Sequence, residues 1–498
     1  MDNLMIKPST HTLLGTAKLP IKLLALMTLS LGLSSCIDLA PFYTRPASPV
    51  PATLGTVESD PKAFTDLPWQ SFISDEKLRQ VVDLALKNNR DLQVAALTIE
   101  RSRALYQVQR ADLFPTIAAS VTETASKGMA SAANNTAGNT SGATTGTAGS
   151  SNSSGNISHI YRATVGFSAY ELDLFGRIRN LNQQALQTFY ANEDNRHSTQ
   201  ISLVAEVATA WLTLAADKKR LAIAQQTQQS QQATYDINQK MFELGVANAL
   251  TLKQLQTSVD SARVAVATYN MQIKQDINAL NLLAGSMVPE QWLPAGNLSS
   301  VVATTALPAG VSSQTLQQRP DVRAAEHLLE GANANIGALR AAFFPTISLT
   351  TTVGSASTEL SGLFAKNSGI WTFVPQVSVP LFNAGRNRAN LTSAEKNRDI
   401  LLAQYEKTVQ TAFREVADVL VQREGLQAQL DAQHSLTAAA NAAFQLADVR
   451  FKNGVDNYLV VLDAQRTLYT AEQSLVTLQL SDAASQLTLY KVMGGGWH

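Results

Sequence analysis

Apolar and polar residues take turns along four short stretches of the chain. Ile117, Ala119 and Val121 alternate with Thr116, Ala118, Ser120 and Thr122, and Ala163, Val165, Phe167 and Ala169 alternate with Arg162, Thr164, Gly166 and Ser168. Further on, Ile347, Leu349 and Val353 alternate with Thr346, Ser348, Thr350 and Thr352, and Trp371, Phe373, Val377, Val379 and Leu381 alternate with Thr372, Val374, Gln376 and Ser378. A period of two predicts strands with one greasy and one wet face. At about 9–12 residues each they are long enough to cross lipid on a tilt. The pattern fits a water-filled transmembrane barrel, and alternatively a soluble hairpin with one buried face.

Elsewhere the period is helical. Residues 181–244 contain no proline, and Ile201, Val204, Ala208, Trp211 and Ala215 keep heptad spacing. Leu402, Tyr405, Val409, Ala412, Val416 and Val419 keep it in a second long segment. The first predicts a helix of about 96 Å at about 1.5 Å per residue, and both carry an apolar stripe that must pair with neighbours. Gly245 and Gly454 fall where these helices must reverse, as left-handed helix ends that suit glycine.

The same elements occur twice. Phe114-Pro115-Thr116 recurs as Phe344-Pro345-Thr346, and Gly176-Arg177-Ile178-Arg179 recurs as Gly385-Arg386-Asn387-Arg388. Phe242-Glu243-Leu244-Gly245-Val246 recurs as Phe451-Lys452-Asn453-Gly454-Val455, and Leu283-Ala284-Gly285 matches Val492-Met493-Gly494. The later motifs share one offset. The first is longer because a low-complexity stretch, 126–158, rich in Ser, Thr, Gly, Asn and Ala, interrupts copy one as an exposed loop. Repeat one is expected over 75–285: a helix, a strand pair (114–126 and 161–173), a long helix (177–244) and a helix (248–284). A linker, 286–311, precedes repeat two over 312–493, with a helix, strands 345–356 and 371–382, a long helix (386–453) and a helix (456–492). A tail, 494–498, ends the chain.

Composition removes other classes. Basic and acidic residues number 39 each, so no charge excess favours nucleic acid. The single cysteine, Cys36, excludes a disulfide framework and a Cys-based zinc site within one chain. The six histidines show no metal-binding spacing, the eight methionines are dispersed, and no nucleophile motif or phosphate-binding loop occurs. We expect no enzyme, no metal and no cofactor.

The N-terminus is informative. Lys18 and Lys22 precede an apolar run, 23–33, of signal-peptide length, which ends in Leu33-Ser34-Ser35-Cys36. Small residues before a lone cysteine resemble a bacterial lipobox, with 1–35 removed and Cys36 carrying covalent lipid. Ile37, rather than Asp, follows the cysteine, which by the same resemblance implies delivery to the outer membrane. Pro41, Pro46, Pro49 and Pro51 make the start of 36–74 an extended tether. No later run of 18 apolar residues offers a spanning helix. Four strands cannot close a barrel alone, and lipid does not tolerate an open edge, so chains must combine. Two chains would supply eight strands and three would supply twelve.

The ordered set of these motifs resembles the TolC-like outer membrane factors, in their lipoprotein branch serving resistance-nodulation-division efflux pumps. It comprises the lipobox, Pro41-Phe42-Tyr43-Thr44-Arg45-Pro46, both Phe-Pro-Thr junctions, and Phe451-Lys452-Asn453-Gly454-Val455-Asp456-Asn457-Tyr458-Leu459 before Leu462-Asp463-Ala464-Gln465. The Gly494-Gly495-Gly496-Trp497 end also fits, so the resemblance covers about 30–498. It implies a mixed α and β membrane protein, a homotrimer with a 12-stranded barrel continuous with a periplasmic α-helical barrel. It also implies an equatorial belt built partly from 286–311. The implied function is a passive exit duct of a tripartite efflux system, exporting drugs or other small molecules with a periplasmic adaptor and an inner-membrane pump. A structural coiled-coil lipoprotein and a conduit for type I protein secretion are the alternatives.

By the same resemblance, Pro115, Pro345, Gly176 and Gly385 mark the helix-to-barrel junctions. Gly245, Val246, Asn248, Gly454, Val455 and Asn457 form the adaptor-contacting tip. Leu459, Asp463 and Arg466, spaced to share a helix face, form the periplasmic gate: an apolar constriction, an acidic ring and a cation able to pair across subunits. The family's second acidic position is Val460 here, and copy one places Leu250, Gln254 and Thr257 at the equivalent sites.

Overall fold

The structure, a computed structural model, describes residues 37–55, 68–127, 157–298, 301 and 310–495. The signal segment, Cys36, most of the 126–158 loop and residues 496–498 lie outside the described residues. In chain order the elements are β1 (Thr53–Gly55), α1 (Trp69–Phe72), α2 (Glu76–Asn88), α3 (Arg90–Ala111), β2 (Ala118–Lys127), β3 (Ile157–Leu172), α4 (Arg177–Glu243) and α5 (Ala249–Ala284). They continue with β4 (Gly310–Ser312), α6 (Ser313–Leu316), α7 (Pro320–Ala341), β5 (Thr346–Ser357), β6 (Gly369–Ser378), α8 (Arg386–Lys452) and α9 (Tyr458–Val492). Both halves thus carry a helix, a strand pair, a 67-residue helix and a shorter helix in the same order.

The described residues form two compact units: 37–40, 112–127, 157–180 and 336–388 make one, and the remaining described residues make the other. The first unit holds a four-stranded antiparallel sheet of order β2-β3-β5-β6. Its inner pairing joins the strand pairs of the two halves, β3 to β5, and leaves β2 and β6 as edges. The alternation expected through Phe167 and Ala169 is interrupted: the β3–β5 register shifts between Phe167 and Tyr170, and Ala169 takes φ 53°. This is a bulge, in which one extra residue re-aims those that follow. The Thr350 hydroxyl accepts the Ala169 N–H at 3.0 Å and so satisfies the donor the bulge displaces. The last strand ends at Ser378, so Val379 and Leu381 fall beyond it.

The second unit is helical. In α2, Asp75 caps the first turn by accepting the Leu78 N–H at 3.0 Å, and Leu78, Val81, Val82 and Ala85 are fully buried. They join Trp69, Phe72, Trp211, Leu212 and Tyr490 in the main core, where the Phe72 and Tyr490 rings stack 4.2 Å apart. Val288, Leu293, Leu298 and Val301 of the inter-repeat segment pack there too. The heptad stripes lie where the spacing puts them: Ile201, Val204, Ala208, Trp211 and Ala215 are buried on α4, and Tyr405, Val409, Ala412, Val416 and Val419 on α8. An 18-residue window of α4 reaches a mean hydropathy of 1.2, and 61% of it is buried inside the protein, as a core helix requires. In contrast, α3 buries only Leu92 and Ser102 and leaves Val94, Leu97, Leu105 and Val108 exposed along one face.

The segment after Cys36 is extended, as its prolines dictate, but it is docked rather than loose. Within the sheet unit, Asp38 accepts from Asn180 Nδ2 at 2.8 Å, Arg340 donates to the Leu39 carbonyl at 3.3 Å, and a Cβ on Gly337 would stand 2.7 Å from the Ala40 backbone. Within the helical unit, Asn333 Nδ2 donates to the Pro41 carbonyl at 2.6 Å, and Arg45 grips Glu326 with two bonds of 2.6 and 2.7 Å. Rising numbers in the segment meet falling numbers on α7, so the two run antiparallel.

Candidate functional site

The sheet separates its two faces by chemistry. One row across all four strands reads Ala119, Val165, Val353 and Trp371. The next row, on the opposite face, reads Ala118, Gly166, Thr352 and Thr372. Along β5 and β6 the first face continues with Ile347, Leu349, Phe373 and Val377, and the second with Thr346, Ser348, Thr350 and Gln376. Val121, Val165, Val353, Trp371, Phe373 and Val377 are all exposed, so among the described residues no core covers this apolar face. Such a sheet can sit between lipid and water, provided its edges are paired. Glu123, His159 and Tyr161 make one polar cluster on the apolar face, near the end where β2 and β3 approach their connection: Glu123 Oε1 lies 2.9 Å from His159 Nδ1 and accepts from the Tyr161 hydroxyl at 3.0 Å. Single-strand alternation did not single out this cluster. A Glu and a His at apolar-phase positions of paired strands are the signal that could have.

At the junctions, Gly176 and Gly385 adopt φ 77° and 83° at the starts of the long helices. Pro115 and Pro345 lie in the short links between each helix and its following strand, just outside both strands. Tyr170 donates to the Leu113 carbonyl at 3.0 Å, Asn387 Nδ2 to the Ala342 carbonyl at 2.7 Å, and the Phe175 and Phe344 rings stack 4.8 Å apart. These contacts fix the turns from helix into strand.

The two helix reversals are built alike. Gly245, at φ 75°, donates to the Phe242 carbonyl while Val246 donates to Met241; Gly454, at φ 72°, donates to Phe451 while Val455 donates to Arg450. This pair of bonds closes a helix end around one left-handed residue. No atom stands within 4 Å of a Cβ added at either glycine, so the backbone angle alone demands glycine. Asn248 caps α5 by accepting the Thr251 N–H at 2.8 Å, whereas Asn457 makes no side-chain cap and its neighbour Asp456 pairs with Arg450 instead. The Arg450 guanidinium holds the Asp456 carboxyl below the usual range and is itself raised by it. Motif reading missed this pair, although opposite charges either side of a tip glycine carry the signal. Val246 and Val455 project exposed from the tips.

The face proposed for constriction is oriented by what packs behind it. Tyr458, Val461 and Leu462 are buried with Leu255 and Ala447, and Phe451 and Phe444 pack against them. That leaves Leu459, Asp463 and Arg466 exposed together on the other side of α9. Among the described residues no carboxylate lies within ion-pair distance of Arg466 and no cation within that distance of Asp463. In copy one, Leu250 and Thr257 are exposed and Gln254 half-buried. No group of three or more metal-ligating side chains occurs among the described residues.

The family model described as outer membrane efflux protein matches residues 81–286 and 311–495. The toluene efflux pump outer membrane protein TtgC of Pseudomonas putida is 42% identical over 487 residues, covering 96% of each chain. Outer membrane protein OprJ of Pseudomonas aeruginosa is 38% identical over 476 residues, covering 95% of each. The open state of the MtrE outer membrane channel of Neisseria gonorrhoeae superposes with a TM-score of 0.81 at 35% identity, over 92% of this chain and 98% of that one. A two-faced four-stranded sheet with open edges, long paired helices and two glycine-closed reversals therefore occur here in a chain that belongs to the outer membrane efflux protein family.

Proposed function

We propose that three copies of this chain form a passive exit duct in the outer membrane, through which an efflux pump discharges small molecules. The observation that carries this reading is the sheet: an uncovered apolar face, a hydroxyl-rich face, and two unpaired edges, β2 and β6. In lipid each edge must find a partner strand. Joining β6 of one copy to β2 of the next closes twelve strands with the apolar face outward. The exposed stripe of Val94, Leu97, Leu105 and Val108 on α3 gives the helical unit a matching face for a sister copy.

The relatives are named for toluene, solvent and antibiotic efflux, and small apolar or amphiphilic toxic molecules are the cargo class we assign. The duct receives them from an inner-membrane pump through a periplasmic adaptor, which meets the exposed Val246 and Val455 tips. Leu459, Asp463 and Arg466 form the constriction, because they are exposed on one face and, among the described residues, Asp463 and Arg466 have no ion-pair partner. Cys36 carries the lipid, and just after it Leu39–Arg45 dock on α7. The test is liposome efflux and oligomer recovery from outer membranes. A heat-modifiable detergent-extracted oligomer that leaks small solutes supports the duct; a detergent-independent monomer overturns it. Replacing Cys36 by Ser should abolish palmitate labelling, and retained label would remove the anchor.

A further inference from the structure

One groove in the helical unit is not accounted for by the duct. It measures about 320 Å³ and lies where α4, α5 and α9 meet, within the size range of small-molecule sites, about 300–1,000 Å³. Ala224, Ala262 and Ala265 withhold side-chain bulk and give it an apolar floor. Of the polar side chains that line it, Gln231 and Arg466 come from different helices. Gln231, on α4, is only 7% exposed, and its carbonyl oxygen Oε1 is buried with no hydrogen-bond partner. A buried amide acceptor without a donor is unfavourable, and helix interiors rarely retain one. Arg466, on α9, lines the same groove and meets no carboxylate among the described residues. Tyr469 adds an aromatic wall, and burial pushes its hydroxyl up to about 12, so that wall carries no negative charge near neutral pH.

We propose that this groove binds a small aromatic acid bearing a hydroxyl or N–H donor. Its carboxylate pairs with Arg466, its donor satisfies Gln231 Oε1, and its ring lies over the alanine floor against Tyr469. Because Arg466 also belongs to the face assigned to the constriction, an occupant draws the guanidinium away from the pore. That coupling rests on the gate reading above; the binding does not.

The experiment is calorimetric titration of the full-length protein in detergent with 4-hydroxybenzoate, and with benzoate, which keeps the charge and lacks the donor. The expected result is one saturable site per chain, with affinity about tenfold weaker for benzoate than for 4-hydroxybenzoate. Gln231→Leu should erase that difference, and Arg466→Gln should abolish binding of both acids. Ala262→Leu, which fills the groove, should do the same with unchanged oligomer size. No saturable binding to the native protein, or a benzoate penalty that survives Gln231→Leu, overturns the site. Channel conductance in a planar bilayer separates the two readings: a change on adding 4-hydroxybenzoate, lost in Arg466→Gln, supports the coupling. Saturable binding with unchanged conductance overturns the coupling alone.

Discussion

Asn88 and Gly285 touch backbone to backbone: a Cβ on Gly285 would stand 2.2 Å from the Asn88 carbonyl oxygen. Gly285 ends α5 in a left-handed conformation, φ 68°, and Asn89 beside Asn88 donates to the Leu283 carbonyl at 2.9 Å. The end of one helix is thereby seated on the break between α2 and α3. Gly245 and Gly454 share the left-handed angle without any such neighbour. Alanine at either tip should cost about 1–2 kcal/mol from backbone strain alone, whereas Gly285→Ala should cost more because backbone must move. Thermal melting of the three variants checks the ranking, and equal losses would remove the packing role of Gly285.

The two sheet faces predict opposite responses at adjacent residues. Val353→Arg puts a cation on the lipid side, at a cost of about 2–4 kcal/mol near the bilayer midplane. It should sharply lower recovery of heat-modifiable oligomer. Thr352→Arg, one residue away on the polar face, should assemble normally and alter ion selectivity. Gel mobility before and after heating, with single-channel recordings, reads both outcomes.

Asp463 gives a prediction at the proposed constriction. Three copies of its carboxylate facing one axis repel unless cations lie between them. Asp463→Ala should change conductance and weaken block by divalent cations in reconstituted channels. Native conductance and native block would take Asp463 out of the pore.

A buried pair of acids gives a pH prediction. Burial, and then the neighbouring Asp217 carboxyl within hydrogen-bonding reach, push Asp276 up to about 6. A folded-state value above the unfolded one means the group favours folding most below about 4 and loses that contribution as pH rises through about 6. Asp276→Asn should therefore melt about 1 °C higher than the native protein at pH 7.5 if about 1 kcal/mol is recovered. It should also flatten the change in stability between about pH 4 and 6. Scanning calorimetry across that range checks it, and parallel curves for both proteins would refute it.

What the chain reveals unaided depends on how local the cause is. A period of two at Ile347, Leu349 and Val353, or heptad spacing at Tyr405, Val409 and Ala412, is legible because neighbouring residues carry the whole signal. Gly245 and Gly454 are legible because a required backbone angle selects the residue type. The Ala169 bulge is not, since its displaced N–H is satisfied by Thr350, far away in sequence. Nor is the docking of Leu39–Arg45, which depends on Asn333, Gly337 and Arg340 about 300 residues on. Gly337 inside a helix was the available hint. Gln231 passes for an ordinary polar residue of a long helix until the three helices that bury it are placed.

In the proposed duct the sheet of each chain is one third of a closed wall. Native mass spectrometry of the detergent-extracted full-length protein tests it most directly. Particles of three chains should survive release from the micelle. A stable, folded single chain, or a pair, would contradict it.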